Sequence, residues 1–222
     1  MEEILEVIVI RKRIKNMYLR ITREGKVQVT APLRMPDKTI REFLEKKRDW
    51  IEKSLKKVPE TVHYDYVPGE IHYVYGYPTP LKLYKSQRNW GTLEADSISL
   101  FIHSEKTDRK KLYEQVAGEF LYATVSALVK KWAPVMGVVP GNIKIRKVKS
   151  RWGSCNVKNH DLTFSLDLFT KPRDLIESVV VHELNHLLEP GHGPRFHTLM
   201  AHWLPDYKER SKRLNSFPRE FV

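Results

Sequence analysis

Between Leu175 and Leu188 eight of fourteen residues are valine, leucine or isoleucine, and His182, Glu183 and His186 lie among them. Val179, Val180, Val181, Leu184, Leu187 and Leu188 surround them, so the pattern predicts a helix buried over most of its circumference. A carboxylate and two imidazoles inside such a helix are unfavourable unless something compensates them. Any fold that contains this helix must supply that compensation. Residues four apart lie one above the other on a helical face, so His182 and His186 can share one metal ion without distorting the backbone. Glu183 lies about 100° further round the helix. It is too far aside to be an easy ligand, but it is placed to accept a proton from a water that the metal activates. A lone histidine on a buried helix is ordinarily a core residue with satisfied hydrogen bonds. Two at this spacing around a glutamate point instead to zinc (Zn2+).

A catalytic zinc keeps three protein ligands and leaves a fourth position open. His192 is the expected third ligand, because Pro190 breaks the helix just after His186 and Gly191 permits a reversal towards the metal. Glu209, His197 and His202 are the alternatives. On the following helix Phe196, Leu199, Met200, Trp203 and Leu204 form the apolar stripe, which leaves His197 and His202 on its flanks. Glu209 is the kind of carboxylate that a later helix would contribute.

Along the rest of the chain, residues 4–31 read as two strands, with β-formers at Ile8, Ile10, Tyr18 to Thr22 and Val27 to Val29, and a turn at Glu24-Gly25-Lys26. Asp37 or Thr39 is expected to cap a helix through Leu55, followed by a connector over 58–70. Aromatic-rich strands follow from Ile71 to Ile102, broken at Gly76, Pro78, Pro80 and Asn89. Asp108 is a plausible cap for a long helix to about Trp132, which Pro134 and Gly137 end. Ile143 to Lys149 and Asp161 to Phe169 read as strands, and Pro172 opens the histidine-bearing helix. This predicts an α+β fold with a β-rich region and one helix over 1–105, then a mixed domain over 106–222.

The net charge of +12 is concentrated at both ends. Lys plus Arg minus Asp plus Glu is 16 − 10 = +6 over residues 1–60, 9 − 8 = +1 over 61–140 and 14 − 9 = +5 over 141–222. Such a surface suits a polyanion such as nucleic acid, or is simply well solvated. Tyr64, Tyr66, Tyr73, Tyr75 and Tyr77 could stack on bases, but their spacing more simply marks one face of a sheet. No apolar run approaches the roughly 20 residues of a membrane span, so no membrane partner is expected. The acidic start and the single cysteine, Cys155, point to a cytoplasmic protein.

The segments Arg151-Trp152-Gly153-Ser154-Cys155, Val179 to Leu187 and His192-Gly193-Pro194-Arg195-Phe196 resemble the YgjP-like metallopeptidases, a family related to the SprT-type proteases. Arg11-Lys12-Arg13-Ile14, Val27 to Pro32 and Asp49-Trp50-Ile51 are similar to that family's opening. The resemblance implies a zincin-like metallopeptidase domain over 106–222, acting on peptides or proteins. It also implies zinc on His182, His186 and His192, with Glu183 as catalytic base. By the same analogy residues 151–155 lie in the sheet beside the motif helix, with Trp152 packed and Gly153 allowing a tight turn. Cys155 is then either a small buried thiol or a reversible fourth ligand. The interval from His186 to His192 also equals the metzincin spacing, but Glu189 stands where metzincins carry glycine. The competing expectation is a nucleic-acid-associated zinc protein, either a protease acting on DNA-bound proteins or a module with structural zinc.

Overall fold

A computed structural model describes residues 7–22, 25–56, 63–148, 150–218 and 220–221. Residues 4–6 of the first expected strand, Glu24 of the expected turn, residues 58–62 of the expected connector and Lys149 lie outside these. The fold is mixed α+β and divides into two compact units, Met1–Thr61 and Val62–Val222. The boundary expected near 105 falls inside the second unit. The reason is physical: Leu81, Ile98 and Leu100 of the strands before 105 share one buried core with Leu121 and Val125 of the helix after it.

The first unit holds three strands: β1 (Val7–Lys12), β2 (Tyr18–Ile21) and β3 (Val27–Pro32). β3 is central, antiparallel to β2 and parallel to β1, and its Val29 and Ala31 pack with Ile40. The single expected helix is two, α1 (Asp37–Lys46) and α2 (Arg48–Leu55). Lys47, at φ −107° and ψ 9°, leaves helical geometry between them, with no glycine or proline to announce the break.

The second unit begins with a sheet in the order β4 (Ile71–Val74), β5 (Tyr77–Lys85), β7 (Ile98–Ile102), β6 (Trp90–Leu93). Pro78 and Pro80 lie within β5 rather than breaking it. Residues 77–80 of that strand pair with β4 while 81–85 pair with β7, so the prolines occupy the stretch with a single registered neighbour, where a missing N–H is tolerated. The tyrosines expected on one face divide: Tyr66 and Tyr75 are buried, whereas Tyr73 and Tyr77 are exposed. Tyr75 and Gly76 both have positive φ, and their N–H groups donate to the carbonyls of Phe169 and Thr170. A Cβ on Gly76 would stand 2.7 Å from Pro172 Cγ. This hairpin tip therefore braces the residues that lead into the histidine-bearing helix.

Helix α3 (Arg109–Met136) is capped by Asp108, whose carboxylate accepts from the Lys111 N–H. It runs past Pro134, which costs one intrahelical bond near the end of the helix, and stops at Gly137. A second sheet, in the order β8 (Ile143–Arg146), β10 (Leu162–Ser165), β9 (Gly153–Cys155), follows it. The strand expected over 161–169 turns into a 3-10 helix at Leu166. Then come α4 (Arg173–Asn185), α5 (Pro194–Trp203) and α6 (Tyr207–Ser216). Among the described residues no helix is long and apolar enough to cross a membrane.

Candidate metal centre

α4 begins directly after Pro172 and buries Leu175, Ile176, Val180, Val181 and Leu184 completely. Burial of these apolar side chains stabilises the helix by roughly 1.5–3 kcal/mol each, enough to hold polar groups in a place they would not choose. Glu183 is only 4% exposed on this helix. His182 faces a groove, and His186 is the helix's C-cap, still in helical geometry. Past it the chain turns, with the Leu188 and Glu189 N–H groups donating to the Asn185 carbonyl, and His192 comes back over the other two. Gly191 has no positive φ and a Cβ there would meet nothing within 4 Å, so the reversal does not depend on glycine at that position.

The three imidazoles converge. One ring nitrogen from each of His182, His186 and His192 lies within 4.8 Å of the others. His182 Nε2 and His192 Nε2 are 3.1 Å apart. Two nitrogens at zinc-ligand distance from one tetrahedral ion would be roughly 3.3 Å apart, so this pair suits such an ion. His186 Nδ1 donates to the Glu189 carbonyl at 3.3 Å, which leaves Nε2 as the nitrogen that could take a metal. Phe196, on α5, lies under all three, its ring centroid 4.9, 4.9 and 4.7 Å from those of His182, His186 and His192. Asn185 Nδ2 donates to the Phe196 carbonyl and so fixes α5 against the end of α4.

The electrostatics suit metal binding as well. Burial, reinforced by the neighbouring histidines, pushes His182 down to about 4. Burial also lowers His186, against the carbonyls of Glu189 and Pro190. Both rings are therefore neutral at pH 7, the form that binds metal. Burial raises Glu183 to about 8, opposed by the Arg151 charge and the Cys155 backbone N–H.

β9 reaches this glutamate from the side. A Cβ on Gly153 would stand 2.6 Å from Glu183 Oε1 and 2.7 Å from its Cγ. Gly153 is thus not a turn residue, as the resemblance implied, but an extended strand residue whose missing side chain makes room for the carboxylate. A glycine inside a strand is the available sign of such close approach. Trp152 donates from Nε1 to Asn215 Oδ1 and joins this edge to α6. The cavity enclosed has a volume of about 590 Å3 and is lined by Arg151, Trp152, the three histidines, Glu183, His197 and Tyr207 among others.

The other expected candidates are not among the converging donors. His197 is exposed and accepts a hydrogen bond from, or donates one to, the Tyr207 hydroxyl at 3.2 Å. His202 is exposed against Trp203, and Glu209 is exposed on α6. Cys155 lines the groove but is not among the converging metal donors. Burial, helped by Glu183, pushes its thiol up to about 11.

A family model for the YgjP-like metallopeptidase domain matches residues 15–217. The chain belongs to the YgjP-like metallopeptidase family. It is accordingly a metal-dependent peptidase, an enzyme that acts on peptides or proteins. Two solved structures are similar to parts of it. One is the metallopeptidase zymogen of Pyrococcus abyssi abylysin, at 21% identity over 44% of this chain and 99% of that one, with a TM-score of 0.40. The other is the metallopeptidase zymogen of Methanocaldococcus jannaschii jannalysin, at 18% identity over 40% and 92%, with a TM-score of 0.37. No curated protein matches the chain.

Proposed function

We propose that this chain is a zinc-dependent peptidase in which His182, His186 and His192 hold the ion and Glu183 is the general base. The observation that carries the reading is the convergence of three imidazole nitrogens within 4.8 Å beside a glutamate that is 4% exposed. Zinc, when bound, supplies Lewis acidity that makes water a nucleophile near neutral pH and polarises the substrate carbonyl. The remaining chemistry belongs to the chain. Glu183, held between Gly153 and the Cys155 N–H, accepts the proton of the attacking water and delivers it to the leaving amine. Phe196 closes the underside of the histidine cluster to solvent. The Glu189 carbonyl fixes which nitrogen His186 presents.

A structural zinc would close its fourth position with a protein ligand, for which Cys155 is the obvious choice. Its absence from the converging donors and its raised thiol favour the catalytic reading. The single cysteine fits a cytoplasmic setting. Glu183→Gln tests the base. The variant should keep its metal and lose hydrolysis of a casein substrate by about 10^2- to 10^4-fold. Undiminished hydrolysis would remove Glu183 from that role.

A further inference from the structure

The Met1–Thr61 unit carries a surface that the peptidase chemistry does not use. β3 lies between β1 and β2, with Lys12 registered on Pro32 and Tyr18 on Thr30. The chain leaving β1 must therefore cross the end of β3 before it starts β2, a span of two strand spacings or roughly 10 Å. At that same end β3 itself leaves the sheet through a turn at Leu33-Arg34, closed by the Met35 N–H donating to the Pro32 carbonyl. Arg11 fixes this second segment to β1. Its Nη1 donates to the Leu33 and Met35 carbonyls, and its Nη2 pairs with Asp37.

Charge gathers at this end of the sheet. Residues 11–18 and 32–38 hold six cations, Arg11, Lys12, Arg13, Lys15, Arg34 and Lys38, against one carboxylate, Asp37, which gives 6 − 1 = +5. Asp37 is already taken by Arg11. The other five cations are all exposed, and among the described residues none of them is ion-paired. The next carboxylate along the chain, Glu42, follows a further unpaired cation, Arg41. Like charges gathered on one surface repel and oppose the compact state, so stability of the fold does not account for them. Tyr18, at the same end, is 59% exposed.

A phosphate backbone turns this repulsion into affinity, because each neutralised phosphate releases a condensed counterion. Arg13 and Arg34 can fork a phosphate, the lysines act as point charges, and Tyr18 offers a ring on which an unpaired base can stack. A membrane surface would call for an apolar helical face beside the cations. The apolar residues Ile40 and Leu44 of α1 are instead packed with Val29 and Ala31 of the sheet. We infer that this end of the N-terminal sheet binds single-stranded nucleic acid, with Lys12, Arg13, Lys15, Arg34 and Lys38 on the phosphates and Tyr18 against a base. The inference stands apart from the histidine cluster and does not rest on the peptidase reading.

The test is fluorescence anisotropy of a fluorescein-labelled oligothymidine titrated with the full chain at several salt concentrations. Five phosphate contacts predict that the logarithm of the binding constant falls with the logarithm of salt at a slope of about −3.5. Arg13→Ala combined with Arg34→Ala should weaken binding at least about tenfold and reduce the slope to about −2. Tyr18→Ala should weaken binding about fivefold or more and leave the slope unchanged. All these side chains are exposed, so the variants should melt with the parent chain by circular dichroism. No binding at about 50 mM salt, or an affinity and slope untouched by the double substitution, overturns the inference. Equal or tighter binding of duplex DNA, with Tyr18→Ala without effect, overturns the single-stranded assignment. Tighter binding to phosphatidylserine vesicles or to polyglutamate, lost in the same double variant, overturns it in favour of a membrane or an acidic protein.

Discussion

Two places in the Val62–Val222 unit bury charge, and they do so on opposite terms. Around Asp167 every group has an internal partner. Its carboxylate accepts from the Glu220 and Phe221 N–H groups and from Ser165 Oγ. Lys171, fully buried, reaches Glu220 Oε1 at 3.2 Å and lies over the ring of Phe217, while the Tyr64 hydroxyl donates to Glu220 Oε2. The histidine cluster is different. It places three imidazoles against each other and beside them a glutamate whose burial outweighs the Arg151 charge and the Cys155 N–H, so that its pKa stays raised. A buried charge that the chain satisfies by itself is architecture. Titratable groups that it concentrates at the wall of an open groove are a place for something else to bind, and a metal ion is the occupant proposed above.

If the contrast holds, damage at the two places should look different. Removing one partner of a buried pair strands the other, so Lys171→Ala should lower unfolding free energy by about 3–5 kcal/mol, measured by urea titration. Its zinc content below the transition should be unchanged. Equal loss of zinc and stability would mean that the two regions are one. Gly153→Ala should show the reverse pattern. A methyl 2.6 Å from Glu183 Oε1 must displace that carboxylate, and misplacing a catalytic group by about 1 Å lowers kcat/KM about 10^2-fold. Peptide hydrolysis should fall accordingly while zinc stays bound. Normal turnover in this variant would mean that the position of Glu183 is not critical.

The smallest effect belongs to Glu177, which joins α3, α4 and α6 away from both places. Burial raises its pKa, but hydrogen bonds from Lys131, Trp132 and Arg210 outweigh this and leave it below the ordinary value of 4.5. A carboxylate with a lowered folded-state pKa contributes stability above its unfolded value and loses it as pH falls through the folded one. Glu177→Gln should therefore cost about 1–2 kcal/mol at pH 7, and the deficit should shrink below pH 4.5 as the parent chain itself protonates. A deficit independent of pH would assign the effect to packing instead of charge.

The convergence of the three histidines is largely legible in the sequence because its parts are local. His182 and His186 follow helical spacing, Pro172 marks where their helix opens, and Pro190 marks the reversal that returns His192. What could not be read depends on contacts between distant segments. Gly153 is explained by a glutamate thirty residues later in the chain, and no turn or spacing rule connects them. The Lys171–Glu220 pair is equally remote. Alternation points to a sheet face for Tyr66 and Tyr75, but both have positive φ and are buried. A change in element type near residue 105 suggests a boundary there, whereas β5, β7 and α3 share one core across it.

The zinc content of the purified chain tests the central claim most directly. Inductively coupled plasma mass spectrometry should find about one zinc per chain, and His182→Ala, His186→Ala and His192→Ala should each lose it while remaining folded by circular dichroism. A His192→Ala variant that keeps full zinc, or a parent chain that binds none when zinc is supplied, would contradict the account.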